Sequence, residues 1–129
     1  MELLTDELKG CLPAIGSDPD TPMAKTRVHL RYFDPSSSWE WYVLEYDGDQ
    51  TFFGLALTNH LAVAGQFTLE ELQSITGPGG DGVSRDPAFE SVTVEELAES
   101  RPVLHELLAE PAPREVNAAR DLVSLEGAD

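Results

Sequence analysis

Four short runs contain side chains whose types and spacing could do chemistry. Trp39-Glu40-Trp41-Tyr42 puts two indoles at alternate positions, so on a strand both lie on one face. Such a pair serves either as a sheet face packed under a helix or as an exposed recognition patch, because Trp and Tyr give large contact area at low entropy cost. Arg85-Asp86 supplies a guanidinium that can pair with a carboxylate and pin its loop. The same group could instead be a bidentate anchor for the carboxylate of a ligand or partner. Glu45-Tyr46-Asp47-Gly48-Asp49 alternates acids like the opening of a calcium loop, yet Gln50 stands where that loop needs Gly and Ala56 where it needs a bidentate Glu. A hairpin turn is the expected role. Gly77-Pro78-Gly79-Gly80-Asp81-Gly82 has the glycine content of a phosphate loop, but it follows a helical pattern and no Lys-Ser/Thr comes after it, so it reads as a helix stop.

The remaining reactive side chains form no constellation. His29, His60 and His105 are far apart, with no Cys or His at ligand spacing, which argues against zinc. Cys11, beside Leu12 and Pro13, is expected to be a small buried hydrophobe, and Ser36-Ser37-Ser38 lacks a nucleophile-elbow context. Any two of the carboxylates could meet in a cleft as a hydrolase pair, but nothing in the sequence selects them. No catalytic residue, metal or cofactor is therefore expected, and the chain reads as non-enzymatic. The candidate binding residues are Trp39, Trp41, Tyr42, Glu45, Asp47, Asp49, Glu70, Arg85 and Asp86.

Charge narrows the partner. The 129 residues hold 24 Asp+Glu against 8 Lys+Arg, a formal charge of -16. Between Arg31 and Arg85 there is no Lys or Arg, while Asp34, Glu40, Glu45, Asp47, Asp49, Glu70, Glu71 and Asp81 all fall in that stretch. Direct nucleic-acid binding needs a Lys/Arg surface and is excluded by this balance, and an anionic membrane is disfavoured by the same Coulomb repulsion. One cysteine provides no internal disulfide framework, and residues 1–25 contain no apolar run of signal-peptide or membrane-span length, so a cytoplasmic location is expected. The surface is either solvated acid or a device for attracting a basic protein.

These residues must be positioned by a small number of elements. Leu3, Leu4 and Leu8 predict a helix over residues 2–10, and Thr26–Phe33 alternates as a strand with Val28, Leu30 and Tyr32 on one face. Trp39–Tyr46 and Gln50–Thr58 flank Asp47-Gly48-Asp49, a strong hairpin signal. Asn59-His60 turns the chain into a weaker strand, Leu61–Phe67, with a bulge expected at Gly65. Thr68-Leu69-Glu70-Glu71 and Thr93-Val94-Glu95-Glu96 are capping boxes that open helices running to about Ile75 and Ser100. Between them, Val83–Val92 reads as irregular or as a short edge strand, and Pro102–Glu110 as a further helical segment. Residues 115–125 can form an amphipathic helix. The expected fold is α+β: an antiparallel meander of three or four strands with helices packed on one face and a helical C-terminal segment. Residues 1–110 form the single domain and 111–129 an acidic adjunct or loosely docked tail.

Several of these motifs occur together in one family. Leu3-Leu4-Thr5, Leu12-Pro13, Phe33-Asp34-Pro35, Trp39-Glu40-Trp41-Tyr42, Glu45-Tyr46-Asp47-Gly48, Thr51-Phe52-Phe53-Gly54, Gly65-Gln66-Phe67-Thr68-Leu69, Gly77-Pro78 and Arg85-Asp86 with Phe89 carry the match. Over about residues 3–90 the chain resembles the bacterial domain-of-unknown-function family two-nine-five-eight, short proteins of plasmids, phages and integrative elements. It departs from that pattern in the glycine-rich loop at 77–82 and from about Val94 onward. The resemblance implies a mobile-element context and a shared core. It implies no reaction, since the family has no known catalytic residues to carry over.

Three readings of function follow. The first is an acidic interaction protein that binds a basic partner, as a nucleic-acid mimic or an inhibitor of a defence or toxin nuclease. The second is a small ligand-binding or hydrolytic domain with a pocket near Trp41, Glu45, Arg85 and Asp86. The third is a structural accessory or immunity-type protein. The oligomeric state is left open by the sequence.

Overall fold

The computed structural model describes residues 3–17, 19–75 and 82–109. The C-terminal adjunct expected at 111–129, its amphipathic helix at 115–125 and residues 77–81 of the glycine-rich loop lie outside the described residues. Helix α1 (Asp6–Lys9) is followed by a 3-10 turn at Met23–Lys25, then strands β1 (Arg27–Val28), β2 (Leu30–Phe33), β3 (Glu40–Tyr46), β4 (Thr51–Leu57) and β5 (Ala62–Thr68). Helix α2 (Leu69–Ser74), short strands β6 (Ser84–Arg85) and β7 (Val92–Thr93), and helices α3 (Val94–Ser100) and α4 (Leu104–Ala109) complete the order.

The fold is α+β. Five antiparallel strands run β5-β4-β3-β2-β6, and β1 pairs with β7 in a separate two-stranded sheet. Local chemistry makes the connections. At the β3–β4 hairpin Gly48 takes φ +91, and one Asp47 oxygen accepts from the backbone N–H of Asp49, Gln50 and Thr51. At the next turn the Thr58 N–H donates to the Leu61 carbonyl at 2.9 Å. Both capping boxes form: Thr68 with Glu71 opens α2, and Thr93 with Glu96 opens α3.

Four expectations are corrected. The N-terminal helix is shorter than 2–10, because Thr5 caps it by accepting from the Leu8 N–H. Leu3 and Leu4 therefore precede it as buried anchors. The strand at 26–33 breaks at His29 into β1 and β2, so Val28 packs in one core and Leu30 and Tyr32 in the other. The bulge lies in β3 between Val43 and Glu45, not at Gly65, which stays in regular register opposite Gly54. A Cβ at Gly54 would overlap the Tyr42 carbonyl oxygen, so the hairpin closes only over glycine there.

The fourth correction concerns layers. Helices were expected on one face, but the β3 strand is buried on both. Trp41, Val43 and Tyr46 share a core with Leu3, Leu4 and Leu72 of α2. Tyr42 and Leu44 share another with Val94, Leu97, Leu104 and Leu107 of α3 and α4. A central strand apolar on both faces has to be covered twice.

Candidate functional site

The nine candidate residues do not converge on one site. Trp41 is fully buried, and Trp39, half-buried, packs against it edge-on with ring centroids 6.5 Å apart. The pair is therefore largely sheet-face packing, and Trp39 alone reaches a cleft. Arg85 lies opposite Tyr32, which lies opposite Trp41, so these three share one face, while Asp86 turns to Arg31 on the other. Glu45 sits toward the far end of β3, buried, where its carboxylate accepts from the Gly16 N–H at 3.2 Å and borders a separate cleft of about 370 Å³ with His29. Burial, with Arg27 nearby, holds the His29 imidazole below its usual pKa. A pocket uniting Trp41, Glu45, Arg85 and Asp86 is thus not assembled.

Three acids do gather. Asp47 and Asp49 form the β3–β4 turn, and the Leu69 N–H beside Glu70 donates to the Gln50 carbonyl at 2.9 Å. All three acids are exposed at the same end of the sheet. Backbone N–H groups from Asp49, then from Thr51 and Gln50, hold the Asp47 carboxyl below the usual range. Cys11, expected to be buried, is exposed.

The strongest polar constellation centres on Glu40, which sequence reasoning passed over. Glu40 is 6% exposed on a strand whose only other charged side chain is Glu45. Arg31, opposite Tyr42 on β2, donates to Glu40 Oε2 from Nε at 2.9 Å and from Nη2 at 2.5 Å. Arg101, at the C-terminal end of α3, donates from Nε to Oε1 at 2.6 Å and from Nη2 to Oε2 at 2.8 Å. Arg31 Nη1 also reaches Asp86 Oδ2 at 3.0 Å, and its guanidinium lies 4.6 Å from the Phe33 ring centroid. Burial pushes the Glu40 carboxyl up, but hydrogen bonds and charge from Arg101 and Arg31 outweigh it and hold the group below its ordinary value. Burial pushes the Tyr42 phenol up to about 12, so it is a neutral donor at physiological pH. Two clefts flank this cluster. The larger, about 590 Å³, includes Trp39, Asn59, His60 and Glu106 beside the two arginines.

A charged residue set in an aromatic run was the available signal. Glu40 between Trp39 and Trp41 on a central strand demands a compensating cation. Its partners at positions 31 and 101 are not neighbours in the chain, which is why periodicity does not reveal them. Among the described residues no group of three His, Cys, Asp or Glu could hold a metal ion, and no helix is long and apolar enough to cross a membrane.

An antiparallel sheet covered on both faces, with a charged hub at one end and an acidic turn at the other, defines a small α+β protein. The chain belongs to the family described as Protein of unknown function (DUF2958), whose model matches residues 3–99. The match takes in α3, beyond the point near Val94 where the sequence motifs cease to be recognisable. No curated protein and no solved structure matches it.

Proposed function

We propose that this protein is a non-enzymatic interaction module whose acidic surface docks a basic protein. The observation that carries the reading is the imbalance of exposed charge among the described residues. Asp6, Glu7, Asp20, Asp47, Asp49, Glu70, Glu90, Glu95, Glu96, Glu99 and Glu106 are exposed, against Lys9, Lys25 and Arg27. Arg31 and Arg101 do not offset this surface, since both are directed inward onto Glu40. An unbalanced field of this kind steers basic partners and raises association rates. The finer form of the proposal is mimicry: carboxylates stand in for phosphates on a protein whose basic face normally takes nucleic acid, such as a defence or toxin nuclease.

The sharpest variant reverses Asp49 and Glu70 to lysine and leaves Asp47 in place, because Asp47 holds the turn. Capture from host lysate at low salt should yield a basic protein whose association slows steeply as salt rises, while its dissociation changes less. The Asp49→Lys/Glu70→Lys variant should capture it poorly while remaining folded. Identical capture by both proteins would overturn the proposal and leave a surface that serves solubility.

A further inference from the structure

The larger cleft beside the Glu40 cluster, about 590 Å³, opens at the start of β3, at the end of the sheet away from the acidic turn. Five charged residues border it: Asp34, Glu40 and Glu106 against Arg31 and Arg101. Four of them are committed within the protein. Arg31 donates to Glu40 and Asp86, and Arg101 donates to Glu40 and the Ser100 carbonyl. Asp34, buried, accepts from the Ser36 and Ser37 hydroxyls. Glu106 differs: it is exposed on α4, and its carboxylate has no hydrogen bond or ion pair among the described residues. The lining is net negative, and its unengaged ion is a carboxylate.

The aromatic walls point the same way. Phe33 already has its cation, with the Arg31 guanidinium 4.6 Å from the ring centroid. Trp39 has none among the described residues. Its ring meets Trp41 edge-on, and the half-buried side chain keeps part of its surface in the cleft. Indole is the best aromatic partner for an ammonium or guanidinium group. Asn59, exposed on the same cleft, has a side-chain amide with no protein partner among the described residues, and its oxygen is a further acceptor.

These features select the occupant. An anion would meet an unpaired carboxylate and the field of a chain carrying -16. An apolar side chain would cover Glu106 and give it no partner. A cation on an apolar stem satisfies both walls, and aromatic anchors of this kind dominate protein interfaces. We propose that this cleft anchors a single Lys or Arg side chain of the basic partner, its cation taken by Trp39 and Glu106 with Asn59 as a further acceptor. The inference rests on the docking proposal above and adds the point at which the partner is gripped.

The probe is the tripeptide acetyl-Gly-Arg-Gly-amide, titrated into the full chain at low salt with acetyl-Gly-Leu-Gly-amide in parallel. NMR follows the Trp39 indole N–H and the Asn59 side-chain amide. The arginine peptide should give saturable shifts centred on these two signals, and added salt should weaken them. The leucine peptide should give none. Trp39→Leu and Glu106→Gln should each weaken binding about two- to fivefold, the range for an exposed cation–π contact or ion pair. Because Trp39 also packs on Trp41, Glu106→Gln, at an exposed position, is the variant that decides if Trp39→Leu fails to fold. The inference is overturned by no saturable shift at concentrations on the order of 10 mM, by equal shifts with the leucine peptide, by shifts spread evenly over the acidic surface, or by equal binding to Glu106→Gln. Its failure is separable from that of the docking surface. Lysate capture lost in Asp49→Lys/Glu70→Lys, with no peptide signal at Trp39, would overturn the cleft and leave the surface, whereas peptide binding at Trp39 with unaltered capture would do the reverse.

Discussion

The two faces of β3 are held by different physics. On the Trp41 face the core is apolar and aromatic: Phe52 packs against Tyr32, Tyr46 and Phe67 with ring centroids 5.2 to 6.1 Å apart, and the Tyr32 hydroxyl closes the layer by donating to the Leu3 carbonyl at 2.7 Å. On the Tyr42 face a similar apolar core under α3 and α4 gives way, toward the start of the strand, to the Glu40–Arg31–Arg101 cluster. The first face gains stability from area removed from water. The second places a carboxylate where desolvation is costly and compensates it with two guanidiniums, an arrangement that contributes orientation more dependably than net stability. It ties the end of α3 to the start of the central strand through a planar, directional contact. The face with the charged hub is also the face with clefts beside it.

The contrast can be broken by substitution. Trp41→Ala on the apolar face should cost roughly 3–5 kcal/mol, since it empties a fully buried site; urea denaturation measures this, and an equally stable variant would show that the face is not close-packed. On the other face Glu40→Gln should cost about 2–3 kcal/mol, below the range for a fully buried pair because the Arg31 and Arg101 side chains keep 20% and 34% of their exposure. Replacing all three charges together, with Arg31→Met, Glu40→Leu and Arg101→Met, should cost less than Glu40→Gln alone. A larger loss in the triple variant would show that the cluster stabilises outright and would erase the difference between the faces.

The same comparison has a pH signature. Glu40 has a folded-state pKa below its ordinary 4.5, so its stabilisation is fully present above that value and is lost as pH falls through the folded pKa. Glu40→Gln should flatten this acid limb, whereas Trp41→Ala should lower the whole profile without changing its slope. The smallest effect lies at the hairpin, away from both cores. Asp47→Ala removes the acceptor of three backbone N–H groups at an exposed turn and should cost about 1 kcal/mol. Thermal unfolding of this variant beside Asp49→Ala, which should be near neutral, separates the structural acid from the purely electrostatic one.

Much of the architecture was legible because its causes are local. A Thr followed three residues on by Glu satisfies its own helix terminus, so both capping boxes form where the pattern stands. Asp-Gly between two apolar runs sets a hairpin without help from elsewhere. The Trp39–Trp41 pair and the acidity of the surface are likewise properties of residue type and spacing. What tertiary structure alone decided was which residues meet. The break at His29 sends neighbouring apolar residues into different cores. The bulge falls in β3 and not at Gly65. Arg85, singled out by its place in the chain, shares a face with Trp41, while Arg31 and Arg101 become the partners of Glu40. Periodicity reports which way a side chain points along one element. It carries no information about which distant element arrives opposite it, and a buried charge is satisfied only by what arrives.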